Sequence, residues 1–333
     1  MRIEAFSQGK VFLRPEDNED SFIAIPGIGY AVIDGVTDHN GTFFGEMRAG
    51  RFAAQVVKRA LGEFLLTRYG PDSAASDASP TTLVGSVSEK LRAAYDRFGQ
   101  LDEVRRDLNR RAGCAFTVAA HAGKDIEIIA VGDAGIRFNG TEIQQGTKPL
   151  DVVTALMRRE AWALFAAQGF AEADCDALSA AINRYGLDRQ ADTRITAGHG
   201  EAIRRRVLDA CSEEIGDVPA VEIERLIARG IAGGQRSFAN RTDLALGYGI
   251  LDGFDVPSEH IHHDVRPIET IEAVELFSDG YFKGGDGFGI ASWEAAFREV
   301  ESVDPHKIGA YMSTKGTTPT SWTDDRTYLG VAF

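Results

Sequence analysis

An α+β architecture is what this 333-residue sequence predicts, on three observations. Short segments rich in branched and aromatic residues recur in groups along the chain. Stretches with three- and four-residue apolar spacing lie between the groups and read as helix pairs. Few strand–helix–strand alternations of the kind that build a doubly wound parallel sheet occur.

The elements follow in order. Val11–Leu13, Ser21–Ile25 and Tyr30–Ile33 read as strands, the last running into Asp34-Gly35, and Gly27 and Gly29 mark a turn between antiparallel neighbours. Phe52, Val56, Val57, Ala60, Leu61, Phe64 and Leu65 form one face of a long helix between Gly45 and Tyr69, ended by Gly70-Pro71. A polar loop, Asp72–Pro80, leads to a second helical region, Thr81–Leu108, with Leu83, Val87, Leu91 and Tyr95 on one stripe. Cys114–Ala120 and Ile126–Val131 read as strands, and Ile136–Asn139 begins another after the tight turn Gly132–Gly135.

Residues 151–235 are rich in Ala, Arg, Glu and Leu. Helical patterning at Leu156–Phe165, Cys175–Ile182, Ala202–Cys211 and Val221–Ala228 makes this a mostly helical insertion, with Gly230–Gly234 as its flexible exit. Strands are expected again at Leu244–Ile250, His260–His263 and Val274–Phe277. Trp293–Val300 and Pro305–Met312 read as helices, and Tyr328–Phe333 as a closing strand.

Composition bounds the function. Hydrophobic residues make up 44% and charged residues 26%, so the chain can build a core. A net charge of −14 repels nucleic-acid phosphates and anionic lipid headgroups, which disfavours both as partners. The apolar runs are strand-sized, and Met1–Ala5 lacks the apolar block of a secretory signal, so a cytoplasmic protein is expected. Cys114, Cys175 and Cys211 have no CxxC spacing and are expected to be free and buried, not disulfide-linked or zinc-binding.

The chemistry-bearing signal is acidic. Asn18-Glu19-Asp20-Ser21, Val32-Ile33-Asp34-Gly35, Val131-Gly132-Asp133-Ala134 and Phe277-Ser278-Asp279-Gly280 each set a carboxylate beside a strand end, and Asp324-Asp325 precedes the last strand. Any one Asp-Gly is a turn dipeptide. Carboxylates at strand ends cost stability unless solvated, hydrogen-bonded or neutralised, and if these ends converge the fitting neutraliser is Mg²⁺ or Mn²⁺.

The ordered set resembles the metal-dependent protein serine/threonine phosphatases of the PPM/PP2C family. The matching positions are Arg14 with Glu19-Asp20, Asp34-Gly35, Thr117 within Cys114–Val118, Gly132-Asp133-Ala134, Ser278-Asp279-Gly280 and Asp324-Asp325-Arg326-Thr327. The resemblance implies a single phosphatase domain, residues 1–333, of two antiparallel sheets packed face to face with helices outside. Residues 151–235 would be a lid or recognition element within it.

The resemblance also implies roles. Asp34 would bridge two metal ions and the Gly35 carbonyl would ligate one. Asp279 and Asp324 would complete the ligands of the first ion and Glu19 those of the second, and Asp20 would act through bound water. Asp133 with Asp279 would hold a third ion, and Arg14 would receive the substrate phosphate. The implied reaction is hydrolysis of phosphoserine or phosphothreonine in proteins by a metal-bridging water, with two or three Mg²⁺ or Mn²⁺ ions and a cognate Ser/Thr kinase as a natural counterpart.

The sequence departs from the family pattern in four places. Glu19 follows Arg14 by five residues where four are usual, Val36–His39 replaces a glycine-rich segment, Ala134 stands for Ser, and Asp325 for Asn. The alternative these departures raise is a catalytically weak or silent regulatory module that binds a phosphoprotein or kinase.

Other features read as structural. His260, His262 and His263 are expected on a strand face, His39 in a surface turn, and Gly284–Gly289 at a loop tip. Arg158-Arg159 and Arg204–Arg206 are expected on solvated helix faces.

Overall fold

The computed structural model describes residues 1–71 and 79–333; most of the loop expected at Asp72–Pro80 lies outside the described residues. In chain order the main elements are β1 (Arg2–Gln8), β2 (Ser21–Ile25), β3 (Gly29–Gly35), β4 (Phe43–Phe44), β5 (Met47–Arg48), α1 (Ala49–Tyr69), α2 (Pro80–Arg97) and α3 (Leu101–Arg106). There follow β6 (Cys114–Ala122), β7 (Asp125–Val131), β8 (Gly135–Phe138), β9 (Glu142–Gln145), α4 (Pro149–Ala167), α5 (Glu172–Tyr185), α6 (Ala197–Glu214) and α7 (Ala220–Gly234). The chain closes with β10 (Ile261–Pro267), β11 (Ala273–Phe277), α8 (Ile290–Val303) and β12 (Arg326–Ala332).

Two five-stranded antiparallel sheets dominate, ordered β1-β12-β11-β8-β9 and β10-β7-β6-β3-β2. They pack face to face, as the inward rows show. Tyr30, Val32, Ala119, Ile126 and Ile128 of the second sheet meet Ile136, Phe138, Val274, Leu276, Leu329 and Val331 of the first in one buried cluster. The alternate residues of the second sheet, among them Ala31, Ile33, Phe116 and Val118, face outward. There they are covered by Phe52, Val57, Leu61 and Leu65 of α1 and Leu83, Val87 and Leu91 of α2. Trp293 and Phe297 of α8 cover Phe277 and Tyr328 on the outer face of the first sheet. The α+β class of two antiparallel sheets with flanking helices is therefore observed.

The chain divides into two compact units. One holds both sheets and comprises Met1–Thr147, Gly249–Glu299 and Thr320–Phe333; the other comprises Lys148–Tyr248 and Val300–Pro319. Within the second unit α4 to α7 form the helical stretch, and Cys175 and Cys211 are buried there as free thiols. No helix among the described residues is long and apolar enough to cross a membrane.

Several local expectations are corrected. The first strand is Arg2–Gln8, whose mostly exposed or half-buried residues lack a clean alternation, while Val11 makes only an isolated bridge to Ser321. The helical region expected at Thr81–Leu108 is two helices, split at residues 98–100 around Gly99 (φ 67°). Gly230–Gly234 is not a flexible exit. α7 runs through it with a kink at Gly230 (φ 60°), where an added Cβ would meet Gly186 and Arg184 backbone. Leu244–Ile250 is irregular, because Ala245 and Leu246 give their N–H groups to the buried Glu222 carboxylate at 3.2 and 2.9 Å instead of to a sheet. Pro305–Met312 is a series of turns organised by Asp304, whose carboxylate accepts the N–H groups of Ile308, Gly309 and Tyr311. Arg158 is not on a solvated face: it is 1% exposed and paired with Asp176 at 2.6 Å.

Candidate metal centre

The pleat decides where the first carboxylate points. Tyr30 and Val32 face the opposite sheet, so Asp34, two residues on, continues that row at the strand end. Its Oδ2 accepts the backbone N–H of Asp279 at 3.2 Å, across the sandwich. Asp279 itself follows β11, and Ser278 before it prolongs the pairing with β12: its N–H donates to Thr327 O at 3.0 Å and its Oγ accepts from Thr327 N at 2.8 Å. Asp133 lies in the turn by which the chain leaves β7 in one sheet for β8 in the other. That turn is fixed by Thr117 Oγ1, which donates to Ala134 O at 2.6 Å, and by Gln145 Nε2, which donates to Asp133 O at 2.8 Å. One carboxylate oxygen from each of Asp34, Asp133 and Asp279 lies within 4.8 Å of the others, all three side chains half-buried.

Asp20 stands beside them at 5% exposure, and its Oδ2 has no hydrogen-bond partner among the described residues. Burial and the charge of Asp325, helped by Asp324 and Asp279, push its carboxyl well above the usual range, against a hydrogen bond from Ser278. Burial likewise raises Asp34 well above that range, reinforced by Asp20, Asp133 and Asp324 and opposed by the Asp279 N–H. Both shifts report carboxylates crowded together out of water, a condition that a bound divalent cation relieves. All-oxygen carboxylate donors fit Mg²⁺ or Mn²⁺.

The remaining acidic residues gather around a lysine. Lys10 Nζ donates to Glu19 Oε2 at 2.9 Å, Asp324 Oδ1 at 3.0 Å, Asp325 Oδ2 at 2.7 Å and Thr37 Oγ1 at 2.8 Å. Burial works against its charge, but Asp324, Glu19 and Asp325 hold its pKa well above the ordinary lysine value. Glu19 is seated tightly: a Cβ on Gly50 would come 2.6 Å from its Oε1, and one on Gly35 would strike its carbonyl oxygen.

The expected site residues thus fall into three places. Asp34, Asp133 and Asp279 are brought together, with Asp20 buried at their side. Glu19 and Asp324 are engaged by Lys10, and Gly35 backs Glu19. Arg14 lies in an exposed turn, its guanidinium paired with Asp17 at 3.1 Å and Glu16 at 3.4 Å. Lys10 and Thr37 join the cluster of Glu19 and Asp324 without being expected there, whereas Ser278 belongs to the Ser278-Asp279-Gly280 motif. Lys10 follows a strand that the sequence pattern did not reveal, so nothing tied it to the acidic ends.

The other candidates resolve as structure. His262 and His263 turn to different partners, Gln144 at 3.2 Å and Glu127 at 3.0 Å. The Gly284–Gly289 loop presents the carbonyls of Gly285 and Gly287 to Arg137.

No family model matches the sequence, and no curated protein matches it. Solved structures do. The serine/threonine phosphatase Stp1 from Staphylococcus aureus is 11% identical with a TM-score of 0.45, covering 100% of this chain and 96% of that one. The Mycobacterium tuberculosis serine/threonine phosphatase PstP/Ppp is 16% identical with a TM-score of 0.43, covering 100% and 98%. The catalytic domain of PstP in complex with two manganese ions is 15% identical with a TM-score of 0.43, covering 99% and 96%.

Proposed function

We propose that the chain is a divalent-metal-dependent phosphomonoester hydrolase acting on phosphoserine and phosphothreonine in proteins. The observation that carries the reading is the approach of the Asp34, Asp133 and Asp279 oxygens to within 4.8 Å of one another, beside the buried Asp20 carboxylate. Carboxylates so close cannot all stay ionised without a counter-charge. The ordered motifs that resemble PPM/PP2C phosphatases support the same reading.

Bound there, Mg²⁺ or Mn²⁺ would lower the pKa of a water and offset charge on a phosphate oxygen. The chain's own residues do the rest. The Asp279 N–H fixes the orientation of Asp34, and the Thr117 and Gln145 contacts fix the turn that carries Asp133. Asp20, buried with its Oδ2 unpartnered among the described residues, would act on the bound ion through a water. Arg14 is the proposed phosphate receiver. Its pairs with Glu16 and Asp17 are exposed on the arginine side, and such surface pairs are worth about 0–1 kcal/mol. Releasing the guanidinium toward a phosphate, which it can bind in bidentate fashion, therefore costs little.

The test is phosphate release. Purified protein with Mn²⁺ should hydrolyse a phosphoserine peptide and p-nitrophenyl phosphate, and Asp34→Asn should abolish both. Activity that survives EDTA contradicts the reading.

The engagement of Glu19 and Asp324 by Lys10 favours one second reading, a regulatory module that binds a phosphoprotein or kinase without turnover. Mn²⁺ binding with no phosphate release from any phosphopeptide would select it.

A further inference from the structure

We infer that Lys10 is a built-in cation of the acidic site: its ammonium fills the end formed by Glu19, Asp324 and Asp325, so the chain takes a single divalent ion, at Asp34, Asp133 and Asp279. The inference rests on the metal-dependent reading above and departs from the two or three ions that the family resemblance implies.

The geometry is that of an ammonium site. Four oxygens surround Lys10 Nζ at 2.7–3.0 Å, from Asp325, Thr37, Glu19 and Asp324. An ammonium has three N–H donors, so its capacity is fully taken. Mg²⁺ demands oxygens at about 2.0–2.1 Å in near-octahedral array, and a doubly charged ion on Glu19 Oε2 and Asp324 Oδ1 would stand against the ammonium that already holds both atoms.

The lysine is also fixed by its backbone. The Lys10 N–H donates to Asp325 Oδ1 at 2.7 Å, its carbonyl accepts Trp322 N–H at 2.9 Å, and Val11 bridges Ser321. Its side chain is 13% exposed. The backbone contacts hold the residue beside Asp325, and the low exposure of the side chain keeps the ammonium out of bulk water. The partners of Nζ are Glu19, Thr37, Asp324 and Asp325, whereas Asp34, Asp133 and Asp279 form their own cluster. The independent sign that this second cluster awaits a ligand is Asp20, 5% exposed with Oδ2 unpartnered among the described residues.

The experiment is a Mn²⁺ titration followed by electron paramagnetic resonance and calorimetry on the full chain. Wild type should bind one Mn²⁺. Lys10→Met, which keeps the stem and removes the charge, should bind two, and adding Glu19→Gln should return the count to one. Wild type binding two ions overturns the inference while leaving the metal reading intact. Lys10→Met still binding one, with unchanged affinity, also overturns it. Failure of both proteins to bind Mn²⁺ sinks the inference and the metal reading together. Should Lys10→Met be too unstable without metal to titrate, thermal melting decides: Mn²⁺ should raise its melting temperature by more than it raises that of wild type, and equal shifts count against the inference.

Discussion

The backbone N–H of Asp279 donates to Asp34 Oδ2 at 3.2 Å, joining strand ends 245 residues apart in the chain and in opposite sheets. The contact orients Asp34 by backbone instead of by a mobile side chain, so the cluster is pre-formed by the sandwich itself. Asp34→Asn keeps the size and an acceptor but removes the charge. Mn²⁺ affinity should fall by about two orders of magnitude or more, beyond the roughly 10–100-fold that outer-shell partners of a metal site cost. Calorimetry on folded wild type and variant checks this.

In the metal-free protein, the stability contributed by Asp34 and Asp20 should be lost as pH rises. Burial and neighbouring carboxylates raise Asp34 and Asp20 above their unfolded values. A raised carboxyl contributes stability that is complete below the ordinary carboxylate pKa of about 3.9 and is lost as pH climbs through the folded value. In EDTA, the wild-type denaturant midpoint should therefore fall relative to that of Asp34→Asn as pH rises from the ordinary carboxylate range. A wild-type slope equal to the variant's would contradict the assignment.

Arg14→Ala should raise KM for a phosphopeptide by about tenfold, about 1.4 kcal/mol, with kcat little changed and thermal stability unaltered. Its present ion pairs are too exposed to matter for folding. An unchanged KM would remove Arg14 from phosphate binding.

Gly50→Ala should destabilise the protein by about 1–3 kcal/mol, the usual cost of overpacking. The new methyl would meet Val36 O at 2.5 Å and Glu19 Oε1 at 2.6 Å. Chemical denaturation measures it, and a loss below a few tenths of a kcal/mol would show that Glu19 is not held as described.

Much of this arrangement could be read from the amino acids alone, for reasons particular to each residue. The convergence of Asp34, Asp133 and Asp279 was legible because each ends an apolar strand next to a turn, where period-two alternation sets the direction of the carboxylate. The long helix α1 was legible because Phe52, Val57, Leu61 and Leu65 cover one sheet face. Lys10 was not, since a lysine after a glycine has no periodic signature and its partners lie up to 315 residues away. β1 escaped because an edge strand with mostly exposed or half-buried residues shows little apolar pattern. Leu244–Ile250 misled because an apolar run reads as a strand wherever a distant carboxylate, here Glu222, can take its N–H groups instead.

The most direct measurement is anomalous diffraction at the manganese edge from crystals soaked in Mn²⁺. A peak within coordination distance of Asp34, Asp133 and Asp279 is expected, and it should vanish in Asp34→Asn. Crystals whose anomalous peaks all lie elsewhere, with these three carboxylates unchanged and unligated, would contradict the account.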